Sequence, residues 1–219
     1  MKPHEGHPVE TAGRPLGEGS AAMILVHGRG AAPRNILELA DELAHPAFTY
    51  LAPAAAGSTW YPNSFMADIA SNEPGISSGL AVLDGLVKRV VTAGVPTERV
   101  VLAGFSQGAC LMSEFAVRHA RRYGGVIAFS GGLIGPRGTS WPYDGDFAGT
   151  PVFLGCSDVD GHVPKDRVEE SAKVFTRMGA AVELRFYPGM GHLINEDELA
   201  FARSIVEAVG SGQPLADEA

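Results

Sequence analysis

Short apolar runs that alternate with amphipathic stretches constrain this chain more than any other feature, because that alternation is the pattern of a parallel sheet covered by helices on both faces. Runs at 21–26, 48–52, 99–103, 125–129, 151–155 and 182–187 are rich in β-branched, aromatic and other apolar residues, as strands buried on both faces should be. Between them, Ile36, Leu39, Ala40 and Leu43 fall on one helical face, Leu80, Leu83, Val87, Val90 and Val91 on another, and Val168, Ala172, Phe175 and Met178 on a third. A last helix announces its own start. Asn195 is placed to cap it, Glu198 to complete a capping box, and Ile194 with Leu199 to act as a hydrophobic staple, after which Leu199, Ala202, Ile205, Val206 and Val209 face inward. Residues 9–11 could add an edge strand. No repeat or linker divides the 219 residues, so one α/β domain over 1–219 is expected, with loose tails at about 1–7 and 211–219. His4 and His7 belong to the first of these tails.

The composition limits what such a domain does. Apolar residues make up 45% and charged residues 19%, which excludes a disordered chain, and a net charge of -8 disfavours nucleic acid and anionic lipid as partners. No apolar run is long enough to span a membrane and the N-terminus lacks a secretory pattern, so a cytoplasmic protein is expected. Cys110 and Cys156 sit among apolar residues and read as reduced core thiols.

One segment carries chemistry. Gly104-Phe105-Ser106-Gln107-Gly108 follows the run ending at Ala103 and precedes the apolar stretch Leu111, Met112, Phe115 and Ala116. A G-x-S-x-G pentapeptide between strand and helix makes a sharp elbow, in which the glycines remove side chains that would collide and the serine is held exposed as a nucleophile. A serine hydroxyl attacks poorly near neutral pH, so it needs a base, and the base needs an acid to orient it. The expected order is serine, acid, histidine, each on a loop leaving a strand.

Of the seven histidines, His4 and His7 precede the core, His45 closes a helix, and His119 lies within the helix after the elbow. His27 ends a strand before the serine and is better suited to hold the adjoining loop, while His162 sits beside Pro164 at a helix start. His192, after the run at 182–187 and between Gly191 and Leu193, is the candidate base. For the acid, Asp158 and Asp160 both follow the run at 151–155, and spacing alone does not separate them. Asp160 is preferred because it lies farther past the strand, leaving Asp158 to shape the turn. A metal cluster of Asp158, Asp160 and His162 matches no recognised ligand spacing, so no metal is expected.

Attack on a carbonyl places negative charge on its oxygen, which backbone N–H groups can stabilise. The amide of Gln107 is one candidate; the loop His27-Gly28-Arg29-Gly30-Ala31 offers the other, at Arg29. The same glycines invite a dinucleotide reading, but Pro33 stands where the third glycine would be.

Taken together, His27-Gly28-Arg29-Gly30, Gly104-Phe105-Ser106-Gln107-Gly108, Asp160-Gly161-His162-Val163-Pro164 and Gly191-His192 resemble the phospholipase/carboxylesterase family of α/β-hydrolases, which includes acyl-protein thioesterases. The similarity runs from about Ala21 to Val209. It implies an α/β-hydrolase fold with a mostly parallel central sheet and no separate cap domain. It also implies Ser106, Asp160 and His192 as the catalytic triad, the amides of Arg29 and Gln107 as the oxyanion hole, and no cofactor.

Substrate is where the chain departs from the thioesterases. They usually carry leucine where Arg29 stands, whereas Trp60-Tyr61-Pro62-Asn63-Ser64-Phe65 resembles a bacterial carboxylesterase branch of the family. A serine carboxylesterase for small esters is therefore expected, with an acyl-protein thioesterase or lysophospholipase as the enzymatic alternative and an idle ligand-binding protein as the remote one. The long connections 54–78 and 131–150 carry Trp60, Tyr61, Phe65 and Met66, and Trp141, Tyr143 and Phe147, which could line a pocket or anchor the loops. Trp60, Tyr61 and Phe65 are the candidates for substrate contact. The Arg29 guanidinium is expected to pair with Glu73 or Asp68, or else to attract a carboxylate-bearing ester. Oligomeric state stays open, a homodimer included.

Overall fold

The computed structural model describes residues 2–213. In chain order its elements are β1 (Val9–Gly13), β2 (Ala21–Val26), α1 (Pro33–Glu42), β3 (Phe48–Pro53), α2 (Gly75–Thr92), β4 (Val100–Phe105), α3 (Gln107–Arg118), β5 (Gly125–Phe129), β6 (Pro151–Ser157), α4 (Lys165–Arg177), β7 (Ala181–Tyr187) and α5 (Glu196–Ser211). The strands form one sheet in the order β1-β3-β2-β4-β5-β6-β7, parallel throughout except for β1, which pairs antiparallel with β3 at the edge.

The two-residue period of a strand divides the core into two layers. On β2, Ala22, Ile24 and Val26 enter one layer, while Ala21, Met23 and Leu25 enter the other. The first layer is covered by α2, α3 and α4 through Leu83, Val87, Phe115, Val168 and Phe175; the second by α1 and α5 through Ile36, Ala40, Ile205 and Val206. Val91, expected on the buried face of α2, is 44% exposed. It flanks a stripe set by Leu80, Leu83, Val87 and Val90, whose spacing of three and four residues already satisfies the helix period. Strand β4 begins one residue later than the apolar run because Arg99 closes a short 3-10 turn, Thr97–Arg99.

This order places the site. From β2 the chain steps outward to β3, which lies between β2 and the edge strand β1, then crosses back to β4 and winds the other way through β5, β6 and β7, so the carboxyl ends of β2 and β4 flank a topological switch point, where open α/β sheets form their crevices. The loop 27–30 leaves β2 there, and Ser106 leaves β4 beside it.

The N-terminal lead-in is not a loose tail at His4. That imidazole is buried, takes the N–H of Ala56 on Nδ1 at 3.1 Å and bonds the carbonyl of Trp60 from Nε2 at 2.8 Å, while its backbone N–H donates to Ser78 Oγ at 2.9 Å. Sequence hydropathy hides such a role, because a neutral histidine with both nitrogens satisfied buries at little cost. At the other end α5 continues to Ser211, and the remainder of the expected tail, residues 214–219, lies outside the described residues.

Burial holds the imidazoles of His4 and His27 below the ordinary 6.5, so the unfolded chain binds protons that the folded chain does not. The stability they contribute is complete above pH 6.5 and is lost as the pH falls below it. The two imidazoles should therefore pull the thermal midpoint down between about pH 7 and about pH 5. His4→Ala should lower stability by about 1–3 kcal/mol at neutral pH, read as a shift of the urea midpoint, and should reduce that decline.

Candidate active site

Gly104 and Gly108 are required by close packing at the elbow. A Cβ on Gly104 would lie 2.8 Å from the backbone nitrogen of Ala109, and one on Gly108 would lie 2.1 Å from the carbonyl oxygen of Val26. Ser106 between them has φ 55° and ψ -122°, a conformation that costs a side-chain-bearing residue about 1–3 kcal/mol and persists only where the surroundings impose it. Its N–H donates to the Phe129 carbonyl at 3.0 Å, and its own carbonyl accepts from Cys110 at 3.0 Å.

Asp160 and His192 arrive from neighbouring loops that are tied together. After β6, Asp158 accepts the N–H of Gly189 at 2.8 Å and Ser157 Oγ accepts that of Gly191 at 3.0 Å, so the loop after β7 is fastened to the loop after β6. Gly189 and Gly191 supply left-handed turns, with φ of 67° and 79°. His192 Nδ1 then lies 2.7 Å from Asp160 Oδ2, and Nε2 lies 2.8 Å from Ser106 Oγ. The imidazole packs between the rings of Phe105 and His162, at centroid separations of 4.9 and 4.7 Å.

The carboxylate of Asp160 has no exposed side-chain surface. Burial alone would raise its pKa, but hydrogen bonds from His192 and from the backbone N–H groups of His162 and Val163 outweigh it and hold the carboxyl below its usual range. An ionised Asp160 accepts from Nδ1–H, which leaves Nε2 free to take the serine proton. Asp158, its rival in the sequence, is a turn-former on the outside. Among the described residues no three His, Cys, Asp or Glu side chains are grouped to hold a metal.

The loop after β2 sits against the serine: a Cβ on Gly28 would lie 3.4 Å from Ser106 Cβ. The backbone N–H groups of Arg29 and Gln107 are given to no acceptor among the described residues. Gln107 opens α3, so its N–H is one of the orphan donors of a helix start. His27 holds this loop as expected, with Nδ1 2.8 Å from the Gly28 carbonyl and Nε2 accepting from Ala55 N at 3.2 Å.

A cavity of ≈ 810 Å³ opens over Ser106. Tyr61 and Phe65 line it, but Trp60 does not. Trp60 is fully buried behind the wall, its indole N–H donating to the His27 carbonyl at 2.9 Å, so it supports the loop after β2 rather than lining the cavity. Trp141, Tyr143 and Phe147 anchor the second long loop, through bonds to the Ile134 carbonyl and the Glu114 carboxylate and through packing on Phe175. Arg29 pairs with neither Glu73 nor Asp68. Its guanidinium instead donates to the carbonyls of Tyr61, Pro62 and Asn63 at 2.9, 2.9 and 2.7 Å.

Sequence reasoning missed the apolar wall made by Ile36, Leu39, Leu193 and Ile194. The only clue was Leu193, an apolar residue next to a polar turn. The α1 stripe reads as core throughout, since periodicity does not show where a helix overhangs a cavity.

Residues 14–209 match the Phospholipase/Carboxylesterase family. The chain belongs to that family. A crystal structure of a phospholipase/carboxylesterase from Dyadobacter fermentans is 40% identical, covers 94% of this chain and 99% of its own, and superposes with a TM-score of 0.90. Acyl-protein thioesterase 1 of Eremothecium gossypii is 30% identical over 143 residues, which span 61% of this chain and 59% of that protein. A carboxylesterase from Bacillus cereus, 16% identical with a TM-score of 0.69 over 94% of this chain and 95% of its own, shares the fold. The α/β-hydrolase fold is thereby established, with no added domain among the described residues. Among the described residues no helix is long and apolar enough to cross a membrane.

The loop that carries His192 leads into a helix whose first turn holds a buried carboxyl. Glu198 completes the expected capping box, its Oε2 accepting from Asn195 N at 2.9 Å, but Oε1 has no hydrogen-bond partner among the described residues. Burial pushes its pKa up to about 7. The folded state therefore favours the protonated acid, and the stability this gives is present below the ordinary 4.5 and lost as pH rises through about 7. Glu198→Gln should remove this group's share of the fall in melting temperature between about pH 4.5 and about pH 7, and should stabilise the protein relative to wild type above about pH 7.

Proposed function

We propose that this hydrolase is a serine carboxylesterase acting on small carboxylic esters through an acyl-enzyme. The observation that carries the reading is the unbroken chain of hydrogen bonds from Asp160 through His192 to Ser106, beside two unpaired backbone N–H groups. His192 Nε2 takes the hydroxyl proton as Ser106 Oγ attacks the carbonyl carbon, and the amides of Arg29 and Gln107 receive the developing oxyanion. Collapse of the tetrahedral species expels the alcohol, which takes the proton back from His192. Water, deprotonated by the same imidazole, then attacks the acyl-serine and releases the acid. Asp160, kept ionised, stabilises the imidazolium and fixes its tautomer.

The cavity favours neutral or weakly polar esters. Among its described lining residues the charged carboxylate and guanidinium groups are those of Glu38 and Arg29, and Arg29 already serves three carbonyls. The apolar wall of Ile36, Leu39, Leu193 and Ile194 is available to an acyl or alkyl chain. Similarity to the thioesterase of Eremothecium gossypii supports a second reading, hydrolysis of acyl thioesters on proteins. The fully assembled relay argues against an idle binding protein, and the two buried free thiols suit a reducing, cytoplasmic setting.

Ser106→Ala should reduce hydrolysis of p-nitrophenyl acetate by about 10⁴-fold or more and abolish labelling by a fluorophosphonate probe. Asp160→Asn should cost about 10³–10⁴-fold in kcat while leaving the fold intact. Across a panel, short neutral esters should exceed both their carboxylate-bearing analogues and an S-acylated peptide in kcat/KM. A clear preference for the acylated peptide would move the assignment to the thioesterase reading, and full activity in Ser106→Ala would remove both.

A further inference from the structure

Segment 58–63 passes behind both oxyanion candidates and is stitched to each of them. Gly30 N donates to the Ser58 carbonyl at 2.7 Å, and the Trp60 indole to the His27 carbonyl at 2.9 Å. From the other side, Gln107 Oε1 accepts from Trp60 N at 2.9 Å and Nε2 donates to the Tyr61 carbonyl at 2.8 Å. That same carbonyl accepts from Arg29 Nη2 at 2.9 Å. The two residues whose backbone N–H groups are unpaired therefore grip one shared oxygen with their side chains.

We propose that the side chains of Arg29 and Gln107 are positioning groups that fix the spacing and direction of the two oxyanion amides through the carbonyl of Tyr61. This rests on the acyl-enzyme reading above. The two donors differ in how firmly the fold already holds them. Gln107 is buried at the head of α3, whereas Arg29 is exposed on a loop with glycine on either side, one of them, Gly30, at φ 78°. Such a loop loses much backbone entropy when ordered and needs an external tie. The planar guanidinium supplies one, because its fork spans the consecutive carbonyls of Tyr61, Pro62 and Asn63. An ammonium concentrates its donors at one atom and cannot span that set. Oxyanion stabilisation depends on donors lying about 2.7–3.1 Å from an oxygen that exists only in the transition state, so loosening the tie should weaken binding of that state and leave substrate binding nearly intact.

The test is steady-state kinetics with p-nitrophenyl acetate, together with inhibition by an aryl trifluoromethyl ketone, whose hemiketal oxygen mimics the oxyanion. Arg29→Leu and Gln107→Leu should each lower kcat by about 10–100-fold, keep KM within about threefold, and weaken the ketone by the same factor as kcat/KM. Arg29→Lys should remain close to Arg29→Leu. The double variant should fall no more than about threefold below the worse single one, because both side chains act through one carbonyl. Should a leucine variant fail to fold, Gln107→Glu, which keeps the acceptor for Trp60 N and loses the donor to Tyr61, and Arg29→Lys give the same readouts. Wild-type kcat and ketone affinity in the folded variants, a loss confined to KM, or full recovery in Arg29→Lys would overturn the positioning role. Ser106→Ala separates the two failures: if it stays active, the acyl-enzyme reading itself is lost; if it is inert while the Arg29 and Gln107 variants match wild type, only the brace is.

Discussion

Helix α3 meets strand β2 at a distance that one methyl group would forbid. The Cα of Gly108 faces the carbonyl of Val26 so closely that a Cβ would overlap it, and Gly104 makes a similar approach to the helix from β4. Because the helix starts that close to the sheet, the chain must turn from strand to helix within one residue, and Ser106 takes the left-handed conformation that the turn demands. The strain is sustained by packing on both sides. Its consequences reach the whole site: the hydroxyl projects above the sheet edge, the N–H of Gln107 is left without an intrahelical acceptor, and the loop after β2 is brought against the serine.

Two buried carboxyls near this edge show how surroundings decide protonation. Asp160 is enclosed, yet the imidazole and two backbone N–H groups converge on it, so it remains the stronger acid. Glu198 is enclosed with one backbone donor on Oε2 and none on Oε1, and burial prevails. The difference is one of hydrogen-bond supply rather than depth. It also gives the two groups different work. Only a carboxylate that stays ionised can hold the Nδ1 proton of His192, while a carboxyl near its midpoint at neutral pH can still cap α5, the helix that follows the His192 loop.

Much of this was legible from residues alone because parallel strands buried on both faces write continuous apolar runs. All seven strands were anticipated, the edge strand β1 included, and so was the capping box at Asn195, and the structure brings the candidate residues Ser106, Asp160 and His192 within hydrogen-bond distance of one another. What escaped the sequence has a common cause. His4 looks like a polar tail residue, Trp60 like a pocket aromatic and Arg29 like a surface cation, and each has its polar atoms satisfied by backbone groups distant in sequence. Composition reports what a side chain can bond to, not which carbonyl will be there. The same blindness hid the apolar wall, whose α1 residues carry a core-like periodicity although part of that face overhangs the cavity.

Arg29 illustrates why charge at a site cannot be converted directly into specificity. An unengaged guanidinium at the mouth of the cavity would attract anionic ligands, but its hydrogens here are directed at three carbonyls of the neighbouring loop. Carbonyl oxygens carry partial negative charge, so the cation is partly neutralised where it stands, and redirecting its fork toward a substrate carboxylate would break bonds that hold segment 58–63 in place. Selection by charge is therefore weak on that side of the cavity. Discrimination falls to shape and apolar contact along Ile36, Leu39, Leu193 and Ile194, where each added methylene is worth only about 1 kcal/mol. On the proposed carboxylesterase reading, a site arranged in this way would grade esters by chain length in modest steps and separate them more sharply by how well their carbonyl oxygen reaches the amides of Arg29 and Gln107.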